Sequence, residues 1–532
     1  MSTSSWDVII VGAGPAGLAA AQMLGRARRR TLVLDAGSGR NRFAEHMHGV
    51  VGFDGAAPAD LRARGRDEAA AYGVEFRDAA VEAVRELGAG LEVRVDGALL
   101  QARSLIVASG VTDVLPEVPG LAERWGSSVL HCPYCHGDEV RGRRLGVLVT
   151  SELGLHQAQL VRQWSERVTV FTGGARDAAG ERVVPPVEVP ELIAARLRAR
   201  GVELVTESAV TGLRGTDRAL DTVTLDDGAV EIDALFTAGT FAPHDEFLAP
   251  LALTRDDSTF GSLLRVDGAG QTSHPRVWAV GNVVAPNANV PVALGAGSMA
   301  GAMVNWALVE DDAEGAVAAA FWETKYHEAP RVWSGRVNPV LADVAAELPA
   351  GRALDLGCGE GGDALWLAGR GWDVTGIDLA PTAIARARDA AREQGVESTR
   401  FVAADALDAL TGELAAAEFD LVTASFFQSP VALERAATLR AAAARIRPGG
   451  RLLVTSHAEP PLVHGEPAHA GPSHFFSPEE ELGALALDEG AWEVELAEVR
   501  RREAVLRDGQ AATMADTVVL LRRRNPAAGA RR

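Results

Sequence analysis

The chain has 532 residues, 47% of them apolar, with 72 acidic against 52 basic side chains and a formal net charge of −20. Several domains with packed cores are expected, general disorder is not, and the acidic balance argues against a broad nucleic-acid surface or binding to anionic lipid. Three cysteines cannot build a disulfide scaffold, and two of them form one Cys-x-x-Cys, which suits a catalytic pair in a reducing compartment. No signal-peptide pattern opens the chain and no run reaches the length of a membrane span, so a cytoplasmic protein without membrane or nucleic-acid partners is expected.

Asp7 to Val11 is a short apolar run of the kind that forms a buried parallel strand. It leads into Gly12-Ala13-Gly14-Pro15-Ala16-Gly17 and a predicted helix through Leu24. Strand, tight turn and helix in that order let the backbone approach a pyrophosphate, whose charge sits at the helix N-terminus. Thr31 to Leu34 is the second predicted strand, ended by Asp35, where an acid meets ribose hydroxyls. His46 and His48 follow in a loop, as active-site groups or as ordinary polar residues. Ser104 to Gly110 reads as a strand and turn, and Val277 to Asn282 as another strand ending on a polar residue.

Between these segments stands Cys132-Pro133-Tyr134-Cys135-His136-Gly137. Thiolate is the reactive form, and a Cys-x-x-Cys turn depresses one thiol pKa. His136 can take or give the proton that thiol chemistry needs. His131, Cys132, Cys135 and His136 also offer four zinc ligands, but so short a turn cannot easily wrap one tetrahedral ion and no second Cys pair exists. Redox chemistry is the preferred reading, and no metal is expected.

The glycine fingerprint, the Val107-Ala108-Ser109-Gly110 turn, the mid-chain Cys-x-x-Cys and the late Gly281-Asn282 occur in the order seen in low-molecular-weight thioredoxin reductases. From about Trp6 to Val309 the chain resembles that family. The resemblance implies a discontinuous FAD-binding domain, 1–116 and 244–312, with an inserted NAD(P)-binding-like domain, 117–243, that carries the redox pair. It implies that Gly12, Gly14, Gly17 and Asp35 hold the FAD pyrophosphate and ribose, and that Gly281 and Asn282 lie at the ribityl chain and flavin. It also implies a homodimer and, as partner, a small-molecule thiol or disulfide or a thioredoxin-like protein.

Three departures from that family stand out. Asn282 replaces the usual Asp, and His136 replaces the Asp that usually follows the second cysteine. The second nucleotide fingerprint is missing. After a predicted strand at Leu145 to Val149 comes Thr150-Ser151-Glu152-Leu153-Gly154-Leu155, and after Val168 to Phe171 comes Thr172-Gly173-Gly174 with Arg176. One glycine remains, Glu152 repels phosphate, and NADPH binding is uncertain. The layout with His after Cys-x-x-Cys is similar to dithiol oxidases acting on metabolites such as gliotoxin and holomycin, in which electrons pass from a dithiol through the cysteines and FAD to oxygen. By that analogy Cys135 is the flavin-proximal thiol, Cys132 the interchange thiol, and His136 shares their chemistry.

Asn305 to Leu308 is predicted to end the last helix of the first part, and the acidic and small residues after it suggest a linker at 313–320. Phe321, Trp322, Tyr326 and Trp333 then crowd together, either as packing or as a lid over a ligand. Ala353 to Leu356 is a strand, followed by Gly357-Cys358-Gly359-Glu360-Gly361, whose glycines permit close approach of a ligand. Val374 to Ile377 is the next strand, ended by Asp378, and Ala404-Asp405-Ala406, Phe419 to Thr423 and a turn at Pro448-Gly449-Gly450 complete the pattern.

This string resembles class I S-adenosylmethionine-dependent methyltransferases, expected over 321–525 with a tail at 526–532. The resemblance implies that Asp355, Gly357 and Gly359 line the methionine part, that Asp378 binds ribose, and that Asp405 and Ala406 hold the adenine. Among His457, His464, His469 and His474, one is a candidate base or shapes the pocket for a small-molecule methyl acceptor, and the rest read as loop residues; Cys358 reads as a small buried residue. The expectation is an α/β protein: a two-domain Rossmann-like flavoprotein followed by a Rossmann-like methyltransferase, acting as a bifunctional enzyme. The alternatives are a methyltransferase with a flavoprotein sensor that does not turn over, and a conventional NADPH-dependent disulfide reductase.

Overall fold

Apolar runs bounded by glycine turns become parallel strands buried on both faces. The computed structural model describes residues 5–87, 90–463, 466–467, 474–505 and 510–525; His464, His469 and the segment 526–532 lie outside them. In the first sheet Ser5–Val11 is flanked by Thr31–Asp35 on one side and Ala98–Val107 on the other, all parallel, with Val277–Ala279 also paired to Ala98–Val107. The chain order reverses beside Ser5–Val11, which opens a crevice at the Gly12 turn.

A second, wholly parallel sheet runs Glu203–Val205, Val168–Phe171, Leu145–Leu148, Ala234–Thr237, Val129–Leu130. Its three inner strands are buried along their whole length. Each Val, Leu or Phe there contributes on the order of 1.5–3 kcal/mol of apolar burial. Two antiparallel crossover strands, Val111–Val114 and Thr240–Pro243, carry the chain into and out of this unit.

The third sheet has the parallel order Thr399–Ala403, Asp373–Asp378, Arg352–Leu356, Phe419–Ser425, Ile446–His457. Ala511–Arg523 then joins antiparallel and pairs in turn with Trp492–Val505. The reversal of order falls between Arg352–Leu356 and Phe419–Ser425, so the Gly357 turn again sits at a switch point.

One feature departs from the sequence expectation. The predicted helix end at Asn305 to Leu308 and the linker at 313–320 both fall inside a single 38-residue helix, Val290–His327. Gly297 and Gly301 let its first half lie directly on the helix Pro15–Arg26; a Cβ at Gly297 would stand 1.9 Å from the Ala16 carbonyl oxygen. The acidic run is not solvated spacer. Asp312 pairs with Arg29 at 2.8 Å and Arg103 at 2.7 Å, and Asp311 pairs with Arg276 at 2.8 Å. Charges that look like linker in sequence are neutralised by arginines far away in the chain, and Ala316 to Ala320 then has no reason to leave the helix. By length and composition this helix is apolar enough to cross a membrane, unlike any run expected from the sequence. Its buried residues Ala300, Gly301, Val304 and Leu308 face the first domain.

Candidate active sites

The first site is a cavity of about 1370 Å³ that runs from the Gly12 turn to the Cys-x-x-Cys and on to the Thr150–Gly154 turn. Gly12 has φ +102°, and a Cβ there would meet the Ala108 carbonyl oxygen at 2.4 Å; at Gly17 it would meet the Gly12 carbonyl oxygen at 1.9 Å. These two glycines are required by the protein itself. Gly14 is different, because a Cβ there meets no protein atom within 4 Å and points into open space where a ligand backbone would pass. The Ala13 N–H donates to Asp35 Oδ1 at 3.2 Å, fixing the carboxylate at the mouth of the turn. An open glycine cradle at a helix N-terminus with a tethered acid beside it fits the pyrophosphate and ribose of FAD.

Gly281 (φ +75°) and Asn282 line the same cavity. Asn282 does more than stand in for Asp. Its Nδ2 donates to the carbonyls of Ala285 at 3.0 Å and Ala288 at 2.9 Å, which ties down the loop leading into the long helix. A carboxylate has no proton for that task.

Cys132 and Cys135 are joined as a disulfide, with Cα atoms 5.2 Å apart. Cys132 caps the short helix Pro133–His136, and the Cys135 N–H donates to its sulfur at 3.2 Å, a contact that favours thiolate at Cys132 on reduction. Both sulfurs are spent on each other in this disulfide, between His131 and His136. Gly137 is needed because a Cβ would strike the Trp164 ring at 2.6 Å.

His131 and His136 are partly buried, and their Nδ1 atoms have no partner among the described residues. Burial pushes the pKa of both below the ordinary histidine value, with Arg40 adding to the effect at His131 and His48 at His136. Neutral imidazoles are thus held ready to accept thiol protons. His48 places Nε2 2.8 Å from Glu139 and lines the cavity, and so does His46.

Sequence reading missed Arg40 and Asp113, which form a two-pronged ion pair at 2.8 and 2.6 Å on the cavity wall, and Gln157, which holds the His131 carbonyl at 2.5 Å. Arg40 and Asp113 are 73 residues apart, so no local pattern announces them.

At the far end of the cavity the second nucleotide turn is poorly made for phosphate. Thr150 Oγ1 donates to the Ala238 carbonyl at 2.7 Å across the crevice between neighbouring strand ends. Glu152 occupies the first turn of the helix Glu152–Val161, answering its positive end. Arg176 is paired with Asp226 at 3.0 Å, and Arg182 donates to the Gly173 carbonyl at 2.7 Å. With one glycine, an acid in the first helical turn and both arginines engaged, this turn departs from the open glycine cradle at Gly12–Gly17.

The second site surrounds Gly357, Gly359 and Gly361, all with positive φ. Asp378 accepts from the N–H groups of Gly359 and Ala380, both at 2.9 Å, and burial raises its pKa to about 6. Asp355 is buried, its Oδ2 has no partner among the described residues, and burial pushes its pKa well up. Asp405 caps the helix Ala406–Thr411 by accepting from Leu407 N–H at 2.8 Å and Asp408 N–H at 3.1 Å. Ala406 is the first residue of that helix. Cys358 is buried and its thiol is pushed far up, an inert packing group. The glycine turn, the orphaned carboxylate and the acid at the next strand end fit S-adenosylmethionine.

The cover of this site is the end of the long helix. Tyr326 and Trp333 stand over Gly359, with the Trp333 indole N–H donating to the Tyr326 hydroxyl at 2.8 Å, and Trp322 donates to Ser429 at 3.2 Å. Glu360 ties the Val332 and Trp333 N–H groups down, and Arg386 joins Glu360 at 2.8 Å to the Ala329 carbonyl at 2.9 Å. Of the aromatic cluster singled out in the sequence, Tyr326 and Trp333 cover the glycine turn, while Tyr326 and Trp322 also pack with Val332, Ala380 and Ala383; the Glu360–Arg386 clasp had no sequence signal.

A profile of the pyridine nucleotide-disulphide oxidoreductase family matches residues 6–300, and a methyltransferase domain profile matches 353–450. A protein named thioredoxin reductase tcpT, from Claviceps purpurea, is 33% identical over 322 residues, covering 58% of this chain and 97% of its own length. Thioredoxin reductase sirT of Leptosphaeria maculans is 30% identical, covering 57% and 94%. The crystal structure of HlmI is similar with a TM-score of 0.54 at 39% identity, covering 59% of this chain and 96% of HlmI. An oxidoreductase structure from Agrobacterium tumefaciens gives a TM-score of 0.52 at 36% identity, covering 57% and 99%. These matches imply FAD and a nicotinamide cofactor for the first half and S-adenosylmethionine for the second. The chain belongs to the pyridine nucleotide-disulphide oxidoreductase family, as a thioredoxin reductase-like thiol/disulfide oxidoreductase joined to a methyltransferase domain.

Proposed function

We propose that the first half oxidises small-molecule dithiols to disulfides with molecular oxygen as final acceptor, and that the second half methylates a small-molecule thiol. The observation that carries the first part is the contrast within one cavity. The Gly14 cradle is open, while the Thr150–Gly154 turn keeps one glycine, carries Glu152 and has its nearby arginines engaged elsewhere. The relatives are named thioredoxin reductases, but the electron donor suited to this chain is the dithiol itself.

A substrate thiolate attacks Cys132 Sγ, the Cys132–Cys135 bond breaks, and the electron pair leaves on Cys135. The second substrate thiol then attacks the mixed disulfide, releasing the product disulfide and the reduced cysteine pair. His136, held neutral by burial, accepts a proton lost on the way. Gly12, Gly14, Gly17 and Asp35 would hold FAD, which would supply the two-electron acceptor for the reduced cysteine pair, with oxygen, reduced to hydrogen peroxide, as terminal oxidant.

The thiol acceptor for methylation is inferred from the fusion of the two halves. The two sites lie at opposite ends of the helix Val290–His327, about 57 Å long at 1.5 Å per residue. A dithiol that serves both halves, oxidised by one and methylated by the other, therefore reaches each of them through solvent.

The test is an anaerobic titration of the purified protein, following oxidised flavin absorbance. NADPH and NADH should leave the flavin oxidised, dithiothreitol should bleach it, and air should restore it. Rapid bleaching by NADPH would make the protein a conventional reductase.

A further inference from the structure

We propose that His457 and Asp516 form a base pair of side chains that deprotonates the thiol accepting the methyl group. The inference rests on the reading of the second half as a thiol methyltransferase.

His457 ends the strand Ile446–His457, at the same edge of the sheet as the Gly357 turn. Between the two lie Phe426 and Phe427, which follow the neighbouring strand. The Phe427 ring covers Gly357, 2.8 Å from where a Cβ would stand. Phe426 has φ +55°, a conformation a bulky residue adopts only under constraint, and its ring stacks on His457 at 4.3 Å and 23°. The imidazole thus adjoins the wall of the pocket where a methyl group would be presented.

Asp516 is 1% exposed, and its Oδ1 lies 3.3 Å from His457 Nδ1. Its other oxygen accepts from Arg502 Nε at 2.5 Å. A buried carboxylate at Nδ1 selects the tautomer with the proton on Nδ1 and leaves Nε2 as the basic nitrogen. The strand end is fixed from behind. The His457 N–H donates to Gln428 Oε1 at 2.7 Å. Beside it, the buried Arg435–Glu481 pair at 2.6 Å also holds the Phe427 carbonyl at 2.8 Å and the Ser456 hydroxyl at 2.9 Å. One network therefore sets both the ring that covers the glycine turn and the residue before the base.

In the step, Nε2 takes the S–H proton and the sulfur lone pair attacks the methyl carbon. The new S–CH3 bond forms as the sulfonium S–CH3 bond breaks, its electron pair staying on the departing S-adenosylhomocysteine. The proton then passes from the imidazolium to solvent.

The experiment uses the full chain with C132S and C135S, so that the redox pair does not consume thiol. Two probes are compared with S-adenosylmethionine: 2-mercaptoethanol, protonated at neutral pH, and 4-nitrothiophenol, already ionised. H457Q should slow methylation of 2-mercaptoethanol by ~10²-fold or more and that of 4-nitrothiophenol by less than about threefold. A readout without turnover is the ultraviolet thiolate band formed when 2-mercaptoethanol is added to protein loaded with S-adenosylhomocysteine; it should form with His457 and be lost in H457Q. Calorimetric binding of S-adenosylhomocysteine should stay unchanged, and if H457Q loses it, D516N carries the same comparison. Equal slowing of both thiols, or none, would overturn the base. Transfer to neither thiol by the chain with His457 intact would instead overturn the thiol-acceptor reading beneath it.

Discussion

Replacing Gly315 with alanine should tighten the joint between the two halves, and replacing it with proline should break it. Gly315 is an exposed residue inside the helix Val290–His327, and a Cβ there meets nothing within 4 Å. Alanine therefore adds no clash and removes the backbone entropy that glycine loses in a helix, worth about 1 kcal/mol. Proline deletes the bond from residue 315 to the carbonyl of Asp311 and clashes with that turn, costing about 3 kcal/mol. Hydrogen exchange followed by mass spectrometry on peptides covering 310–322 reads these as local opening energies. G315A should slow exchange there by about fivefold, and G315P should speed it by more than about 100-fold. A flexible linker would exchange at unprotected rates in all three proteins, and that result would refute the continuous helix. Separate transitions of the two halves do not disturb the comparison, because the readout is local.

Other outcomes follow from single contacts. C135S should abolish bleaching of the flavin by dithiothreitol while FAD content, read from absorbance after gel filtration, stays the same. G14A should lower FAD affinity in a protein that still folds, whereas G17A, whose new methyl would press on the Gly12 carbonyl at 1.9 Å, should cut the yield of folded protein itself. Asp378, at about 6, should make S-adenosylmethionine affinity fall roughly tenfold per pH unit below that value, since the ribose hydroxyls need the carboxylate; calorimetry between pH 5 and 8 showing no change would refute this. In ligand-free protein the sign is opposite. Its raised pKa gives stability that is fully present below about 3.8 and lost as pH rises through about 6, worth about 3 kcal/mol.

The two crevices were legible because each is local. Strand, glycine turn, helix and a distal acid lie within one stretch of some 30 residues, and the backbone conformations that the turn demands exclude other residue types. The departure of Thr150–Gly154 from a glycine-rich turn was legible for the same reason. Arg40–Asp113, Asn282 with its loop carbonyls, the Glu360–Arg386 clasp and His457–Asp516 were not, since each joins residues that only the sheet order brings together. His457 stood among four candidate histidines in sequence, and only a buried carboxylate on the next strand separates it from His474.

The segment 310–320 shows where sequence stops deciding. Its composition, acids followed by alanine and glycine, is compatible with a linker or with a helix, and propensity alone is worth too little to choose. Arg29, Arg103 and Arg276 make the choice, because their charges face Asp311 and Asp312 once the first domain has folded. The sequence by itself determined two glycine-turn crevices, one suited to a dinucleotide and one to S-adenosylmethionine, and a redox pair. Tertiary structure alone decided that one helix joins them and ends as the lid of the second site, because that outcome depends on charges and rings brought together from distant parts of the chain.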